Sequence, residues 1–222
     1  ARSRPPPLDL CAVLDSSPPL HLASEFKRSS PSKGDINVGL SAPEQAKLYK
    51  EAGASVISVL TESTWFKGSL ADLEGVRDAT DSGPGAPRPA VLRKDFVTKE
   101  TEILEARAFG ADTVLLIVAV LPEDRLSALL SYARSLGMEP LVEIHSDCEL
   151  DVALGSGAKC LGVNNRNLHT FEMFGSRTSD VCAELRRRGV EFGAGKGLHV
   201  CSLSGFTDAE GCRRAREDGC SM

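Results

Sequence analysis

Leu-His-Leu-Ala-Ser-Glu-Phe-Lys-Arg-Ser-Ser-Pro-Ser-Lys-Gly, residues 20–34, runs from an apolar stretch straight into a cluster of charge and hydroxyl groups. In an extended strand successive side chains point to opposite faces, so Glu25 and Lys27 share one face and Phe26 takes the other. A carboxylate and an ammonium are thereby presented side by side at a strand end. Ser29, Ser30, Pro31, Ser32 and Gly34 add turn formers, hydroxyls and backbone N–H groups, with Arg28 and Lys33 among them. That composition suits an anionic ligand such as a phosphate ester. Taken alone, Glu25 and Lys27 equally fit a solvated ion pair, and only the remainder of the chain separates the two.

From residue 20 onward short apolar runs alternate with helical stretches. Strands are predicted at 20–26, 54–60, 89–94, 112–118, 139–144, 159–164 and 198–204. Helices are predicted at 43–52, 69–79, 99–109, 122–136, 146–156, 177–188 and 207–218, with Pro43 and Pro122 in first turns and Gly53, Gly110, Gly137, Gly189 and Gly219 just past the ends. Near-continuous apolar strands alternating with helices mean a parallel sheet covered by helices. Residues 1–19, with Pro5, Pro6, Pro7, Pro18 and Pro19, form a Pro-rich irregular lead-in with at most a short helical turn from Leu8 to Leu14. Residues 20–222 form the barrel domain.

An open doubly wound sheet and a closed (β/α)8 barrel both meet that description. The open sheet advertises a glycine-rich phosphate loop after its first strand, and neither G-x-G-x-x-G nor G-x-x-x-x-G-K-[ST] is present. Gly193-Ala-Gly-Lys-Gly197 lacks the required Ser or Thr and precedes a strand, which places it on the non-catalytic side. A barrel instead spreads its site over the C-terminal ends of many strands. Here Glu25 and Lys27 end the first strand, Thr61 and Glu62 the second, Lys94 and Asp95 the third, Glu143 and His145 the fifth, Asn164 and Arg166 the sixth, and Ser202 and Ser204 the seventh. Each alone is an ordinary strand-end group, but in a barrel they converge on one mouth, where charge without function is costly.

Composition bounds the chemistry. The 222 residues are 41% hydrophobic and 26% charged, an ordinary balance for one globular domain. A net charge of −5 argues against nucleic-acid binding. No apolar run approaches the roughly 20 residues that span a bilayer, and the first residues lack a secretory core, so a soluble, cytoplasmic protein is expected. Because the first residue is Ala1 and not Met, an organellar home after removal of a transit segment fits as well. Seven scattered cysteines form no C-x-x-C pair and no zinc spacing, which fits reduced thiols used as small apolar residues.

At the mouth, Glu25 and Glu143 face Lys27, Lys94 and Arg166, with Asn164 and Ser204 as neutral donors. Lysines crowded by like charge are expected to have lowered pKa values and to serve as general acids near neutral pH. Acid/base chemistry on a small anionic, carbonyl-bearing substrate, with no metal and no cofactor, is the class this implies.

Five segments carry a resemblance to a known family: Ser-Glu-Phe-Lys-Arg-Ser-Ser-Pro-Ser-Lys-Gly (24–34), Gly-Ala-Ser-Val-Ile-Ser-Val-Leu-Thr-Glu (53–62) with Trp-Phe-Lys-Gly-Ser (65–69), Leu-Arg-Lys-Asp-Phe (92–96), Leu-Val-Glu-Ile-His (141–145) and Gly-Val-Asn-Asn-Arg-Asn-Leu (162–168). In collinear order over about residues 20 to 220, they resemble indole-3-glycerol-phosphate synthase, a carbon-carbon lyase of tryptophan biosynthesis. The resemblance implies a decarboxylating and dehydrating ring closure of 1-(2-carboxyphenylamino)-1-deoxyribulose 5-phosphate. It implies Lys94 as general acid on the ribulose-derived carbonyl, Glu143 handling the proton of the later dehydration, Lys27 orienting the substrate carboxylate and Glu25 fixing Lys27. Asn164 and Arg166 would hold the hydroxyl and carboxylate side, Phe66, Phe96 and Leu168 the aromatic ring, and Ser30, Ser204 and Gly205 the phosphate. Fusion to other tryptophan-pathway domains is compatible with it.

The chain departs from the family pattern in two places. The seventh strand ends Leu203-Ser204-Gly205-Phe206 where the family usually has Glu-Ser-Gly-Ile. The chain also stops at Met222, so a barrel truncated before its eighth strand, with exposed edges on the first and last strands, is expected. A fragment is the favoured explanation. The competing enzyme reading, a phosphoribosylanthranilate isomerase-like barrel, is disfavoured by the Lys94 and Glu143 pair. The competing reading without full activity is a catalytically impaired fragment or scaffold segment of a multifunctional tryptophan-pathway protein.

Overall fold

The computed structural model describes residues 4–83, 85–166, 175–206 and 208–222. Seven strands, β1 (Ala23–Phe26), β2 (Val56–Leu60), β3 (Ala90–Lys94), β4 (Thr113–Ile117), β5 (Leu141–Ile144), β6 (Cys160–Asn164) and β7 (His199–Leu203), pair in chain order and all in parallel. The connecting helices are α2 (Ala42–Glu51), α3 (Leu70–Thr80), α4 (Glu100–Ala108), α5 (Glu123–Ser135), α6 (Asp147–Gly155) and α7 (Arg177–Arg187), with α8 (Ala209–Glu217) after β7. Each predicted strand and helix is present, with ends displaced by up to three residues.

The strands are buried on both faces, so their sequences run apolar without alternation. Outward-facing Phe26, Ile57, Val59, Val91, Leu116, Val142 and Leu161 pack under the helices in one core. Inward-facing Val56, Ala90, Leu92, Leu115, Leu141, Cys160 and Cys201 form a second core inside the curled sheet. Gly162 leaves room for Leu203 in that second core. A Cβ on Gly162 would lie 2.7 Å from Leu203 Cδ1 and 3.4 Å from Leu141 Cγ.

The Pro-rich lead-in has a structural use. Asp9 caps a short helix, α1 (Leu10–Asp15), by accepting from Cys11 N, and the i, i+4 pair Leu10 and Leu14 enters the inner core, each 1% exposed. The chain just before it is anchored where Leu8 N donates to Asp112 Oδ1 at 2.8 Å. The glycine loop at 193–197 lies on this same lower side, with Gly195 N donating to Asp15 Oδ1 at 2.6 Å.

The expected gap between the first and last strands is narrower than predicted. Ser221 N donates to Val200 O (2.8 Å), Ser202 N donates to Met222 O (2.6 Å), and His21 N donates to Ser221 O (2.8 Å). Residues 220–222 therefore stand as the first rung of an eighth strand, buried between β7 and the approach to β1. His199 Nδ1 and Ser221 Oγ, 2.9 Å apart, secure that rung from inside. Above it, among the described residues, no strand separates β7 from β1.

Candidate active site

The alternation at the end of β1 places Phe26 in the outer core and turns Glu25 and Lys27 toward the mouth. Each oxygen of Glu25 meets a different lysine: Lys27 Nζ donates to Oε1 at 2.5 Å and Lys94 Nζ, from the end of β3, donates to Oε2 at 2.8 Å. Tyr49 on α2 donates its hydroxyl to the Glu25 carbonyl at 3.1 Å and so fixes the backbone beneath the carboxylate. Burial alone would raise the Glu25 pKa, but the charges of Lys94 and then Lys27 outweigh it and hold the carboxyl at about 2.

Lys94 corrects a sequence expectation. Burial disfavours its ammonium and Arg166 repels it, yet Glu25 and then Glu143 attract it more strongly, and its pKa is raised, not lowered. The tally of positive charges at the strand ends does not govern; two carboxylates closing on this one ammonium do.

Glu143, at the end of β5, is 2% exposed. Its Oε1 accepts from Asn164 Nδ2 on β6 at 3.1 Å and lies 3.2 Å from His145 Nε2, a contact between charges. Its Oε2 is buried with no hydrogen-bond partner among the described residues. Burial would raise the Glu143 pKa, but His145, Lys94 and Asn164 hold it below the usual carboxylate range. Burial likewise opposes charge on His145, and the Glu143 and Glu149 carboxylates override it, pushing the imidazole up to about 9. Asn164 Oδ1 accepts from Arg166 N at 3.0 Å, which sets the course of the chain leaving β6.

The loop after β2 is organised by Glu62, whose carboxylate accepts from Thr64 N (2.8 Å), Trp65 N (2.7 Å) and Phe66 N (3.1 Å). Glu62 is thus a loop clamp and not a group of the charged cluster. Only glycine fits at position 68, where a Cβ would lie 2.0 Å from Leu60 O. Phe66 is half-buried on this loop and Phe96 is exposed after β3. Leu168 lies outside the described residues.

Ser204 and Gly205 line a cavity of about 140 Å³ between the end of β7, α7 and α8. Both are in the left-handed region (φ 68° and 83°), so the chain turns sharply there. Asn165 braces the cavity: its Nδ2 donates to Ser202 Oγ (3.1 Å) and Leu203 O (3.0 Å), and its Oδ1 accepts from Thr178 N (3.1 Å) and Thr178 Oγ1 (2.9 Å). Ser30 is elsewhere, in a two-rung hairpin of Ser29–Ser30 with Gly34–Asp35, and does not line this cavity. Leu203 itself packs with the inner core over Gly162, so an apolar side chain fills the position where the family usually has Glu.

The structure therefore brings together two sets, Glu25 with Lys27 and Lys94, and Glu143 with Asn164, which act on each other through the charges of Lys94 and Glu143, with Ser204 and Gly205 at a separate cavity on the same side. Sequence reasoning gave no role to Tyr49, Asn165 or the His145–Glu149 pair. The last had a signal in the i, i+4 spacing across the start of α6, and Asn165 had one in the Asn164-Asn165 doublet.

Residues 2–222 match the family model described as indole-3-glycerol phosphate synthase. The chain is 52% identical over 198 residues to a multifunctional tryptophan biosynthesis protein of Phanerodontia chrysosporium, covering 89% of this chain and 24% of that one. It is 53% identical over 177 residues to one of Schizosaccharomyces pombe, covering 80% and 23%. An indole-3-glycerol phosphate synthase of a Roseiflexus species is 47% identical over 171 residues, covering 77% and 63%. The chain thus spans about a quarter of these fungal relatives and under two thirds of the bacterial one. Among solved structures, the carboxyl transferase domain of Rhizobium etli pyruvate carboxylase aligns over 100% of this chain and 47% of its own, with a TM-score of 0.63 and 11% identity, a likeness of fold alone.

Proposed function

The chain belongs to the indole-3-glycerol phosphate synthase family, and from that premise we propose that it closes the pyrrole ring of indole-3-glycerol phosphate, acting as a carboxy-lyase on 1-(2-carboxyphenylamino)-1-deoxyribulose 5-phosphate. The observation that carries this reading is the shared carboxylate of Glu25 between Lys27 and Lys94, with the buried Glu143–Asn164 pair beside it.

The reaction forms a carbon–carbon bond from the carboxylated ring carbon to the ribulose carbonyl carbon, then expels carbon dioxide and water. As that bond forms, the carbonyl oxygen gathers negative charge and needs a proton. Lys94 is the general acid that delivers it; its raised pKa keeps the proton in place until the oxygen becomes the stronger base. Lys27 is the cation for the substrate carboxylate, and Glu25 holds both ammonium groups at a fixed spacing. In the second half the new hydroxyl departs as water and a proton is lost from the ring system. Glu143, kept ionised and hydrogen-bonded by Asn164, handles that proton.

Arg166 is the cation for the carboxylate side, and Phe66, Phe96 and Leu168 flank the anilino ring. The phosphate takes the cavity of Ser204 and Gly205, which Ser30 on the first-loop hairpin does not line. No helix among the described residues is long and apolar enough to cross a membrane. In keeping with the multifunctional relatives, the 222 residues act as one unit among fused tryptophan-pathway domains.

The test is Lys94→Ala in the protein that carries these residues, followed by the fluorescence of the indole product. A fall in kcat of about 10² to 10⁴-fold, with substrate affinity changed far less, is expected. Near-normal turnover would refute the assignment of Lys94.

A further inference from the structure

His145 has no part in the ring closure set out above, yet it is held from three sides. Its backbone N–H donates to Glu149 Oε2 on α6 at 2.8 Å, and its carbonyl accepts from Arg177 Nε on α7 at 2.7 Å. Its ring lies between two carboxylates, Nε2 at 3.2 Å from Glu143 Oε1 and Nδ1 at 3.5 Å from Glu149 Oε2. The two backbone bonds fix the place from which the ring projects, and the two flanking carboxylates favour the charged ring between them.

The consequence falls on Glu143. Its Oε1 faces both Asn164 Nδ2 and the His145 ring, while Oε2 is buried without a hydrogen-bond partner among the described residues. The two oxygens are therefore inequivalent. A carboxylate this deeply buried tends to take up a proton unless a positive charge stands beside it. Among the described residues the charged groups around the pair are Lys94 from β3, Asp147 and Glu149 from α6, and Arg177 from α7.

Resting on the reading that Glu143 handles the dehydration proton, we propose that His145 is a positioning residue: clamped by Glu149 and Arg177, it keeps Glu143 ionised and turned so that Oε2 exchanges the proton. The imidazole, pushed up to about 9 by the two carboxylates, carries its charge throughout the neutral range. Its support for Glu143 is complete below its ordinary value near 6.5 and is lost as pH rises through about 9.

The test is His145→Gln, which keeps a donor of similar reach and removes the charge, with kcat and KM followed from about pH 3.5 to about pH 9. Glu143 should then protonate more readily, moving the acid limb of kcat upward by about one pH unit. Well down the acid limb kcat should fall about tenfold, and by about pH 7 it should recover to within about threefold of wild type, with KM little changed. Glu149→Gln should move the limb the same way by less. A uniform fall across the range, or an unshifted profile, would overturn the proposal.

A readout independent of turnover is the NMR titration of the His145 ring. It should titrate near 9 in the wild type and closer to the ordinary value near 6.5 in Glu143→Gln; a value near 6.5 in both would overturn the proposal even if His145→Gln failed to fold. An active Glu143→Gln would instead sink the role of Glu143 itself. An inactive one beside an unshifted His145→Gln profile would sink the positioning role alone.

Discussion

Replacing Glu25 by Gln keeps the shape of the side chain and removes the charge that two lysines share. A carboxyl held at about 2 when folded, against an ordinary 4.5, contributes about 3 kcal/mol at neutral pH, taking 1.36 kcal/mol per tenfold change in proton affinity. The side chain is 28% exposed, so solvent screening reduces this to about 2 to 3 kcal/mol. For a chain of this size that is a fall in Tm of about 5 to 10 °C. The sign follows from the direction of the shift: the contribution is fully present above pH 4.5 and is lost as pH falls through about 2. At about pH 3 only about 1 kcal/mol remains, so the gap between wild type and variant should narrow by more than half between neutral and acid pH. Repulsion between Lys27 and Lys94 adds to the loss at both pH values and does not alter that narrowing. Thermal melts followed by circular dichroism at the two pH values measure it. A Tm difference that is equal at both, or absent at neutral pH, would show that Glu25 is not the charge clamp described.

Other substitutions probe other parts of the frame. Gly162→Ala drives a methyl into Leu203 Cδ1 and should destabilise by about 1 to 3 kcal/mol in a denaturant titration, with Leu203→Ala in the same chain relieving part of the loss. Leu14→Ala removes half of the apolar face that α1 buries and should lower stability by about 2 to 5 kcal/mol without changing the pH profile of turnover. Gly68→Ala places a Cβ against the Leu60 carbonyl, which cannot yield as a side chain would; a loss of about 1 to 3 kcal/mol and a raised KM are expected, since the Phe66 loop must shift.

Much of the site was legible because a strand has period two and a barrel brings strand ends together. Glu25, Lys27, Lys94, Glu143 and Asn164 could be placed on one side of the sheet from spacing alone. What spacing does not supply is distance. Lys94 was expected to lose its proton easily because lysine and arginine outnumber the carboxylates at the mouth, whereas the carboxylate of Glu25 lies 2.8 Å from it. Glu62 looked like another mouth group, but its backbone partners at 64–66 lie in a turn whose geometry the sequence does not announce. The prolines of residues 1–19 hid the use of Leu10 and Leu14, because six helical residues are too few for a periodic signal. The hydrogen bonds of residues 220–222 to both neighbouring strands were hidden for the same reason, three residues being too few to read as a strand.

Leu10 and Leu14, together with Met222, cork the lower end of the cylinder. Among the described residues these side chains fill the end opposite the mouth, which leaves the mouth side for filling and emptying. Under the proposed reaction the indole product and carbon dioxide leave by the route the substrate entered, and the next substrate waits for that route to clear. Product should accordingly compete directly with substrate, raising apparent KM and leaving kcat untouched in steady-state inhibition plots.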